Sequence, residues 1–525
     1  MTEKKGTSRR EFLAGVGGAV AGLAVGAAVG WSLKPAEVAP PEVRTETVVQ
    51  TQTVTQTVTA GPPRPFEGVK ITALVHSGHQ ATPWKKWSQV IKDRWGIELE
   101  IVETPPEDIY SKALLGIQAS PPEYDIIQWN SAWIGDFEPF IQPLDEFMSK
   151  PEGDPGWGDI ISGYRNFQNT WAGKVYSLTL DGDTFFLYYR KDLFDHPEER
   201  DNFKSQYGRE LTVPRTWEEA LEIAEFFTRK KGEKLAGSTL TKDFFGIADQ
   251  LRRGRSYYWY LFRYVPYVAA ARNGQGDYFD RDTMEPLINT DAAVEALEVL
   301  KRSKDLAPPG VLGFEWDELF TAAMKEGIIG MWIHWPDEGK RSDELAPLPV
   351  ENPPKPQLGV AMIPGVEKDG KLYQYTIVDA AWVVSVVKGS KNPEAAYTVI
   401  KFITGPEASL ENVMAPTDFM PDTGLDPYRY SHVHSYRFRK QKPHAVPLLD
   451  AYAVALEKGF PLLKIPGAFE YLDKLDLGIS KYLAGEIASA KEALDGVAKE
   501  WEQITDKLGR DKQKEFYRKM WELIG

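Results

Sequence analysis

Residues 68–75 read Gly-Val-Lys-Ile-Thr-Ala-Leu-Val, and residues 124–129 read Tyr-Asp-Ile-Ile-Gln-Trp. Both runs are largely apolar and rich in β-branched residues, which predicts two strands of a buried sheet. A third such run, at residues 97–102, lies between two segments with helical periodicity, residues 84–95 and 109–119. The resulting order of strand, helix, strand, helix, strand predicts an α/β fold with a mostly parallel sheet.

The segments that follow two of these strands are candidates for a binding edge, because ligands of parallel α/β sheets bind beyond the carboxyl ends of the strands. This rule places residues 76–79 (His-Ser-Gly-His) and residues 129–133 (Trp-Asn-Ser-Ala-Trp) at that edge. Further helices are predicted over residues 216–231 with Thr216 as N-cap, over residues 291–306 with Asp291 as N-cap, and from Gly467 onward.

The composition excludes several classes of protein. The 525 residues include 62 Lys and Arg against 76 Asp and Glu, which gives a formal net charge of −14. We expect no nucleic-acid partner, since nucleic acids select a basic face. Cysteine is absent, so disulfides, thiolate nucleophiles and cysteine-ligated zinc are excluded. The length corresponds to about two or three domains.

The N-terminal region is typical of an exported protein. Ser8-Arg9-Arg10-Glu11-Phe12-Leu13 resembles the twin-arginine signal, and an uncharged run extends from there to Leu33. Residues 12–33 are long enough to cross a bilayer, so they are either removed or kept as an anchor. Residues 34–65 are rich in Thr and Pro, which predicts an extended stalk. The folded body is therefore expected outside the cytoplasm, at the cell surface or in the periplasm.

Six segments of the body resemble one family of proteins. In order they are Asp125–Trp129 (DIIQW), Phe186–Phe194 (FLYYRKDLF), Pro214–Ala220 (PRTWEEA), Lys325–Trp335 (KEGIIGMWIHW), Lys388–Ala396 (KGSKNPEAA) and Lys401–Glu407 (KFITGPE). On these segments the chain resembles the family 1 extracellular solute-binding proteins, the maltose-binding-protein-like receptors of sugar ABC importers. It departs from the family pattern at Arg190, where Asn is usual, and at His334-Trp335-Pro336.

The resemblance implies a two-lobed α/β fold of the type II periplasmic-binding-protein class, with hinge strands and a ligand cleft between the lobes. By analogy, lobe one comprises residues 66–182 and 364–412, and lobe two comprises residues 183–363 and 413–525. Such a receptor closes on its solute and presents it to a membrane permease with cytoplasmic ATPase subunits. The resemblance implies a monomer that binds a sugar, catalyses no reaction, needs no cofactor and contacts the membrane through residues 12–33 if these are retained.

The resemblance also implies which side chains contact a di- or oligosaccharide. Flat aromatic rings stack on sugar rings, and carboxylates, amides and imidazoles bond to hydroxyl groups. Residues that match the family's cleft, or lie on the predicted binding edge, are His79, Trp129, Asn130, Trp133, Asp183, Trp259, His334, Trp335, Asp379, Trp382 and Tyr471.

Other solutes remain open from the sequence. A glycerol-phosphate ester would use clustered arginines such as those between residues 252 and 263. A polyamine would use carboxylates boxed by aromatic rings, which Asp181, Asp183 and Trp129 could supply.

A secreted glycoside hydrolase is the alternative from another class of protein. It needs two carboxylates that flank the scissile bond, and Asp181 and Asp183 are too close in sequence to do so. No metal site is predicted, because the histidine pairs at residues 76 and 79, and at residues 432 and 434 on one expected strand face, lack a third ligand.

Overall fold

The computed structural model describes residues 64–378 and 381–522. The predicted export signal, the predicted anchor and nearly all of the predicted stalk lie outside the described residues, as does Asp379. Within these two ranges, no helix combines the length and the apolar character needed to cross a bilayer.

Strands and helices are distributed along the whole body. The strands are β1 (Lys70–His76), β2 (Glu98–Thr104), β3 (Ile126–Asn130), β4 (Thr170–Trp171), β5 (Lys174–Val175), β6 (Leu178–Thr179), β7 (Phe186–Arg190), β8 (Lys234–Leu235), β9 (Ser238–Thr239), β10 (Phe245–Ala248), β11 (Ile329–His334), β12 (Leu358–Ala361), β13 (Val366–Lys368), β14 (Lys371–Tyr373), β15 (Thr376–Ile377), β16 (Trp382–Val386) and β17 (Gly459–Phe460). The α-helices are α1 (Thr82–Trp95), α2 (Ile109–Gln118), α3 (Ile134–Phe137), α4 (Asp145–Met148), α5 (Ser162–Tyr164), α6 (Lys191–Phe194), α7 (Pro197–Tyr207), α8 (Trp217–Phe227), α9 (Ser256–Ala271), α10 (Asp291–Asp305), α11 (Trp316–Phe320), α12 (Asp337–Lys340), α13 (Pro393–Thr404), α14 (Pro406–Val413), α15 (Tyr430–Val433), α16 (Tyr436–Gln441), α17 (Val446–Ala455), α18 (Ala468–Leu483), α19 (Ala490–Leu508) and α20 (Arg510–Glu522).

The first sheet has the order β2-β1-β3-β16-β6. β1 pairs in parallel with both β2 and β3, as the sequence predicts, because helical crossovers connect the three strands. β16 runs antiparallel to β3 and to β6, so β2, β1, β3 and β6 share one direction and β16 alone opposes it, which agrees with the predicted mostly parallel sheet. Successive residues of β1 point to opposite faces of the sheet. Ala73 belongs to one hydrophobic cluster and Leu74 to another, so both faces are covered.

The second sheet has the order β10-β11-β7-β12. β10 and β11 are parallel, whereas β7 is antiparallel to both of its neighbours, β11 and β12. β10 and β11 are buried over their full lengths, and α8 and α10 pack against β10. β11 ends at the edge of this sheet where the site described below begins.

Two predicted helix starts have different outcomes. Thr216 is the N-cap of α8, and its Oγ accepts a hydrogen bond from the Glu219 N–H at 3.2 Å, so this prediction is confirmed. The helix ends at Phe227 and not near Lys231, because residues 228–231 turn into a bridge with the segment before β10. α10 has Thr290 as its N-cap, and Asp291 is its first helical residue.

Candidate functional site

A cavity of about 930 Å³ lies among loops that leave the two sheets. From the first sheet, His79 follows β1, Asn130 ends β3, Trp133 follows β3 and Trp382 begins β16. From the second sheet, Trp335 follows β11 directly. The cavity therefore lies beyond strand ends, as the position of the predicted binding edge implies.

Aromatic side chains form the cavity wall on the side of the first sheet. The rings of Trp133 and Trp382 meet edge to face at 6.0 Å, and His76 packs on Trp382 at 4.8 Å. Phe469, at the start of α18, extends this wall and is 59% exposed although it is large and apolar. Tyr110 stacks on Phe469 at 5.7 Å and supports it. Such rings offer flat faces to a solute.

Trp335 and Tyr258 form the aromatic part of the wall on the side of the second sheet. Trp335 packs on Phe185 at 4.6 Å and on Trp259 at 5.9 Å, so its ring orientation is fixed by the core. The guanidinium of Arg255 lies 5.7 Å from the centre of the Trp335 ring. This ring is thus supported on one side and open to the cavity on another.

Four carboxylates line the cavity, and we call Asp181, Asp183, Asp337 and Asp426 the acidic floor. Three of them are buried, whereas the Asp337 side chain is 14% exposed. Oxygens of Asp181, Asp183 and Asp426 lie within 4.8 Å of one another. The ammonium of Lys340, in α12, lies 2.9 Å from Asp426 Oδ1 and also donates to the Leu425 carbonyl. The floor therefore holds four acids around one lysine.

A chain of side-chain amides connects the acidic floor to the first sheet. Gln128 Nε2 donates to Gln80 Oε1 at 2.7 Å, and Gln80 Nε2 donates to Asp181 Oδ2 at 2.9 Å. The other Asp181 oxygen accepts from the backbone N–H of Asp426 at 2.8 Å. Both oxygens of Asp181 are therefore occupied, and its position depends on elements far apart in sequence.

Gly182 explains the spacing of Asp181 and Asp183. A Cβ at Gly182 would lie 2.0 Å from the Pro427 carbonyl oxygen, so only glycine permits this approach of two backbones. The Gly182 N–H donates to the Asp426 carbonyl at 3.1 Å. The segment 181–183 is thereby held against the segment that carries Asp426.

Burial and mutual repulsion raise the pKa of every carboxyl group in the acidic floor. Burial raises the pKa of Asp181 and of Asp183 well above the usual range, and neighbouring carboxylates raise it further. Burial and the charge of Asp426 raise the pKa of Asp337 to about 7. For Lys340, burial alone would lower the pKa, but Asp426 and Asp337 raise it above the ordinary value. The lysine is therefore charged, whereas the carboxyls resist full ionisation.

Six of the predicted site residues line this cavity: His79, Asn130, Trp133, Asp183, Trp335 and Trp382. Asn130 also uses its side-chain oxygen to accept a hydrogen bond from the Ala132 N–H at 3.0 Å, which shapes the turn that carries Trp133. A role in ligand binding for these six residues stays a proposal.

Trp129 and Tyr471 are predicted site residues that the structure places in the core. Trp129 stacks on Phe137 at 5.3 Å, and its Nε1 donates to Ser385 Oγ at 2.8 Å. The Tyr471 hydroxyl forms a hydrogen bond with Thr505 Oγ1 at 2.9 Å. Both side chains are buried and neither lines the cavity, so the correction is that they pack against the protein.

Trp259 and His334 lie one layer behind the cavity wall. Trp259 supports Trp335 from within the core. His334 packs against the Trp316 ring at 5.2 Å, and burial lowers its pKa to about 3, so the ring is neutral. Both side chains are fully buried. They were predicted to touch the ligand, and the structure shows that other residues stand in front of them.

Sequence reasoning missed several residues of the site. Gln80, Asp426 and Phe469 line the cavity, and Lys340 lies directly behind it. Gln80 is one position after the predicted edge residue His79, so that edge could have indicated it. Asp426 lies in no motif and is brought to the site only by tertiary folding.

The sequence predicts no metal site, and the structure shows which potential metal ligands lie close together. Among residues 64–378 and 381–522, three potential metal ligands come together at Asp181, Asp183 and Asp426. The Lys340 ammonium already lies beside Asp426. His432 lies in the helix α15 and not on a strand, and it bonds to Ser409 Oγ at 2.9 Å.

Comparison with known proteins gives the family. The family model for bacterial extracellular solute-binding proteins matches residues 82–409, which is more than half of the chain. The chain belongs to this family. Among curated relatives, a probable amino-acid ABC transporter periplasmic-binding protein of Sinorhizobium fredii is 22% identical over 66% of this chain and 71% of its own length. A putative binding protein of Brucella abortus is 25% identical over 59% of this chain and 64% of its own length.

Solved structures of such solute-binding proteins have the same fold. A solute-binding protein of Agrobacterium radiobacter in complex with ribitol has a TM-score of 0.63 at 19% identity, covering 84% of this chain and 100% of that one. Maltose-bound MalE3 of T. maritima has a TM-score of 0.59 at 21% identity, covering 83% and 100%. The predicted two-lobed α/β fold of the binding-protein class is thereby confirmed.

Membership defines the role in general terms. The protein is an ABC transporter solute-binding protein of a periplasmic or extracellular family. Proteins of this family bind a solute and deliver it to permease components, and they are not enzymes.

Proposed function

We propose that this solute-binding protein captures a carbohydrate, either a di- or oligosaccharide or a related polyol, in the cavity between its two sheets. The observation that carries the proposal is the cavity of about 930 Å³, in which Trp133, Trp382 and Trp335 stand beside buried carboxylates. Aromatic faces with adjacent acceptors suit rings that carry hydroxyl groups. Solved structures of similar fold contain ribitol and maltose, which supports the same class of solute.

The proposal extends to export and delivery. The twin-arginine motif at residues 8–13 and the apolar run at residues 12–33 support export of the folded protein and attachment to the membrane. The stalk would hold the body near a permease with cytoplasmic ATPase subunits. The lobe boundaries inferred from the family, at residues 182/183, 363/364 and 412/413, belong to the same proposal.

A thermal-shift panel tests the solute class. The protein is heated with maltose, trehalose, cellobiose, xylo- and malto-oligosaccharides, ribitol, amino acids, spermidine and glycerol 3-phosphate. A ligand at 100 times its dissociation constant stabilises the fold by about 2.7 kcal/mol, which raises the melting temperature measurably. A shift with one sugar or polyol series supports the proposal. A shift with an amino acid or glycerol 3-phosphate alone would mean that the protein is a receptor for that solute and not for a carbohydrate. Release of reducing ends would indicate a hydrolase.

Trp382 supplies the matching mutational test. Trp382→Ala removes a ring that lines the cavity, and we expect solute binding to weaken by about 1–3 kcal/mol. Calorimetric titration with the sugar found in the panel measures the change. Tyr436→Ala is the control, because this aromatic side chain is exposed and does not line the cavity. Equal affinities in both variants and the wild type would remove Trp382 from the site.

A further inference from the structure

The charges around the cavity are unequal. Among the described residues, eight carboxylates and four arginines line it: Glu107, Asp181, Asp183, Glu315, Asp317, Asp337, Asp422 and Asp426, with Arg252, Arg253, Arg255 and Arg341. A cavity with an excess of one charge attracts the opposite charge, most strongly where the groups are removed from water.

The arginines are already paired with acids. Arg252 and Arg255 both contact Glu315, and Arg255 lies 3.3 Å from it. Arg253 pairs with two acids of α18, and Arg341 pairs with Glu344 at 2.8 Å. These guanidinium groups therefore have carboxylate partners of their own, and at the acidic floor Arg341 offsets only part of the rise in the pKa of Asp337. The same pairing argues against a phosphate ester as the solute.

Asp183 has no basic partner of this kind. It is 8% exposed and lines the cavity, and among residues 64–378 and 381–522 no Lys or Arg forms an ion pair with its carboxylate. Its carboxyl, when protonated, donates a hydrogen bond to the carboxyl of Asp426, and the two groups repel each other when both are ionised. Within the described ranges Lys340 is the one ammonium at the floor, and it lies at Asp426. A positive charge from the solute would offset this repulsion and allow Asp183 and Asp426 to be ionised together.

The aromatic wall suits the same kind of group. Trp133 and Trp382 line the cavity together with Asp183, and the face of an indole ring attracts cations. The protein already uses this attraction at Trp335, over which the Arg255 guanidinium lies at 5.7 Å. A positive charge bound at the floor would therefore be in favourable surroundings.

We propose that the solute carries an ammonium group and that this group binds to Asp183 in the acidic floor. The inference rests on the proposed function, since it concerns the solute of that same cavity. Two sources share this chemistry: an amino sugar, which is also a carbohydrate, and a linear polyamine, which would replace the carbohydrate as the solute. The ammonium would donate hydrogen bonds to Asp183 and to neighbouring carboxylates, while the rest of the solute lies against the aromatic wall.

Matched pairs of solutes test the inference on the full-length chain by calorimetric titration. Cellobiose and its diamino counterpart, the glucosamine dimer, differ chiefly in ammonium in place of hydroxyl, and spermidine carries ammonium groups without a sugar. We expect an amine to bind at least about tenfold more tightly than cellobiose, because hydrogen bonds to charged groups are the stronger ones. The glucosamine dimer and spermidine together distinguish the two sources.

Asp183→Asn is the decisive variant, with Asp418→Asn as its matched control. Asp418 is exposed and does not line the cavity, so Asp418→Asn makes the same change in net charge away from the acidic floor. We expect Asp183→Asn to lose most of the preference for the amine and Asp418→Asn to keep it. Asp337→Asn provides a second floor variant if Asp183→Asn does not fold, as judged by circular dichroism, and it should weaken the amine preference in the same direction.

Each other result overturns the inference in a recognisable way. Equal or tighter binding of neutral sugars would reject the ammonium and leave the proposed function standing. Calorimetric binding of calcium chloride without any binding of amines would indicate that the acidic floor is a metal site. Binding of none of these probes would contradict the inference, and the thermal-shift panel then decides separately whether the proposed function stands.

Discussion

Trp129 and Trp382 lie on adjacent strands of the first sheet, but only Trp382 lines the cavity. Successive residues of a strand point to opposite faces, so a difference of one position decides whether a ring meets the core or the solute. Trp129 follows this rule into the core, where it meets Phe137 and Ser385. The roles of the two rings should therefore separate experimentally.

Trp129→Ala is expected to lower the free energy of unfolding by about 3–5 kcal/mol, because it leaves a cavity in the core. Urea denaturation measures the loss, and Trp129→Phe, which keeps a ring against Phe137, should lose less. The fraction that remains folded should bind solute with wild-type affinity. If Trp129→Ala has normal stability but no longer binds the solute, Trp129 belongs to the ligand site.

The sequence predicted part of the site for reasons that can be stated. His79, Asn130 and Trp133 were found because they follow predicted strands, and Trp382 because it matches the family's cleft. Asp426 was not, since its neighbours in sequence form no motif and its place depends on the contact with Gly182. Periodicity and spacing report on local structure, and they contain no information on which distant segments meet.

Asp337 gives a prediction about pH. Its pKa is about 7 in the folded protein against 3.8 as the ordinary value, because burial and Asp426 disfavour its charge while Lys340 and Arg341 offset only part of this. An acid with a raised pKa favours the folded state below the ordinary value, and this contribution is lost as the pH rises through about 7. Asp337→Asn should therefore equal the wild type near pH 4 and be more stable at pH 8.

Chemical denaturation at the two pH values checks this prediction. Asp418→Asn serves as the control because its exposed carboxylate has no such environment. The other floor acids also have raised pKa values, so the wild type should lose stability with rising pH even beyond the effect of Asp337. A variant whose advantage is the same at both pH values would contradict the assignment.

At the scale of elements, the start of α8 shows how local chemistry fixes a boundary. Thr216 and Glu219 bond to each other's backbone N–H groups and form a capping box, of which the sequence analysis predicted the Thr216 cap. The start of α10 was predicted one residue too late, because Thr290 and Asp291 are both acceptable N-caps and the sequence does not choose between them. The end of α8 depends on tertiary contacts and was therefore harder to predict.

Thr216→Ala should lower the free energy of unfolding by about 1 kcal/mol, since it removes the acceptor for the Glu219 N–H. Thr216→Ser keeps the hydroxyl and should retain most of the stability. Urea denaturation of the two variants, compared with the wild type, measures the difference. Equal losses for Ala and Ser would mean that the threonine methyl group, and not the cap, is what matters.

At the scale of the whole molecule, six weak segments in one order were enough to predict the binding-protein fold. They work together because each marks an element that the fold requires, such as β7 in Phe186–Phe194 or the start of α13 in Lys388–Ala396. The pairing of β16 between β3 and β6 was not predicted, since it joins strands about 200 residues or more apart. Lobe boundaries taken from the family stay a prediction.

Solute binding should make the molecule more compact. Side chains from both sheets line one cavity, so a solute that touches Trp382 and Trp335 at once gains most when the two sides approach. We expect the radius of gyration from small-angle X-ray scattering to fall when the saturating solute is added, and to stay unchanged with a sugar that shows no calorimetric binding. Trp382→Ala should need more solute for the same fall, because it weakens binding without blocking closure. An unchanged profile at proven saturation would mean that the two sides do not move on binding.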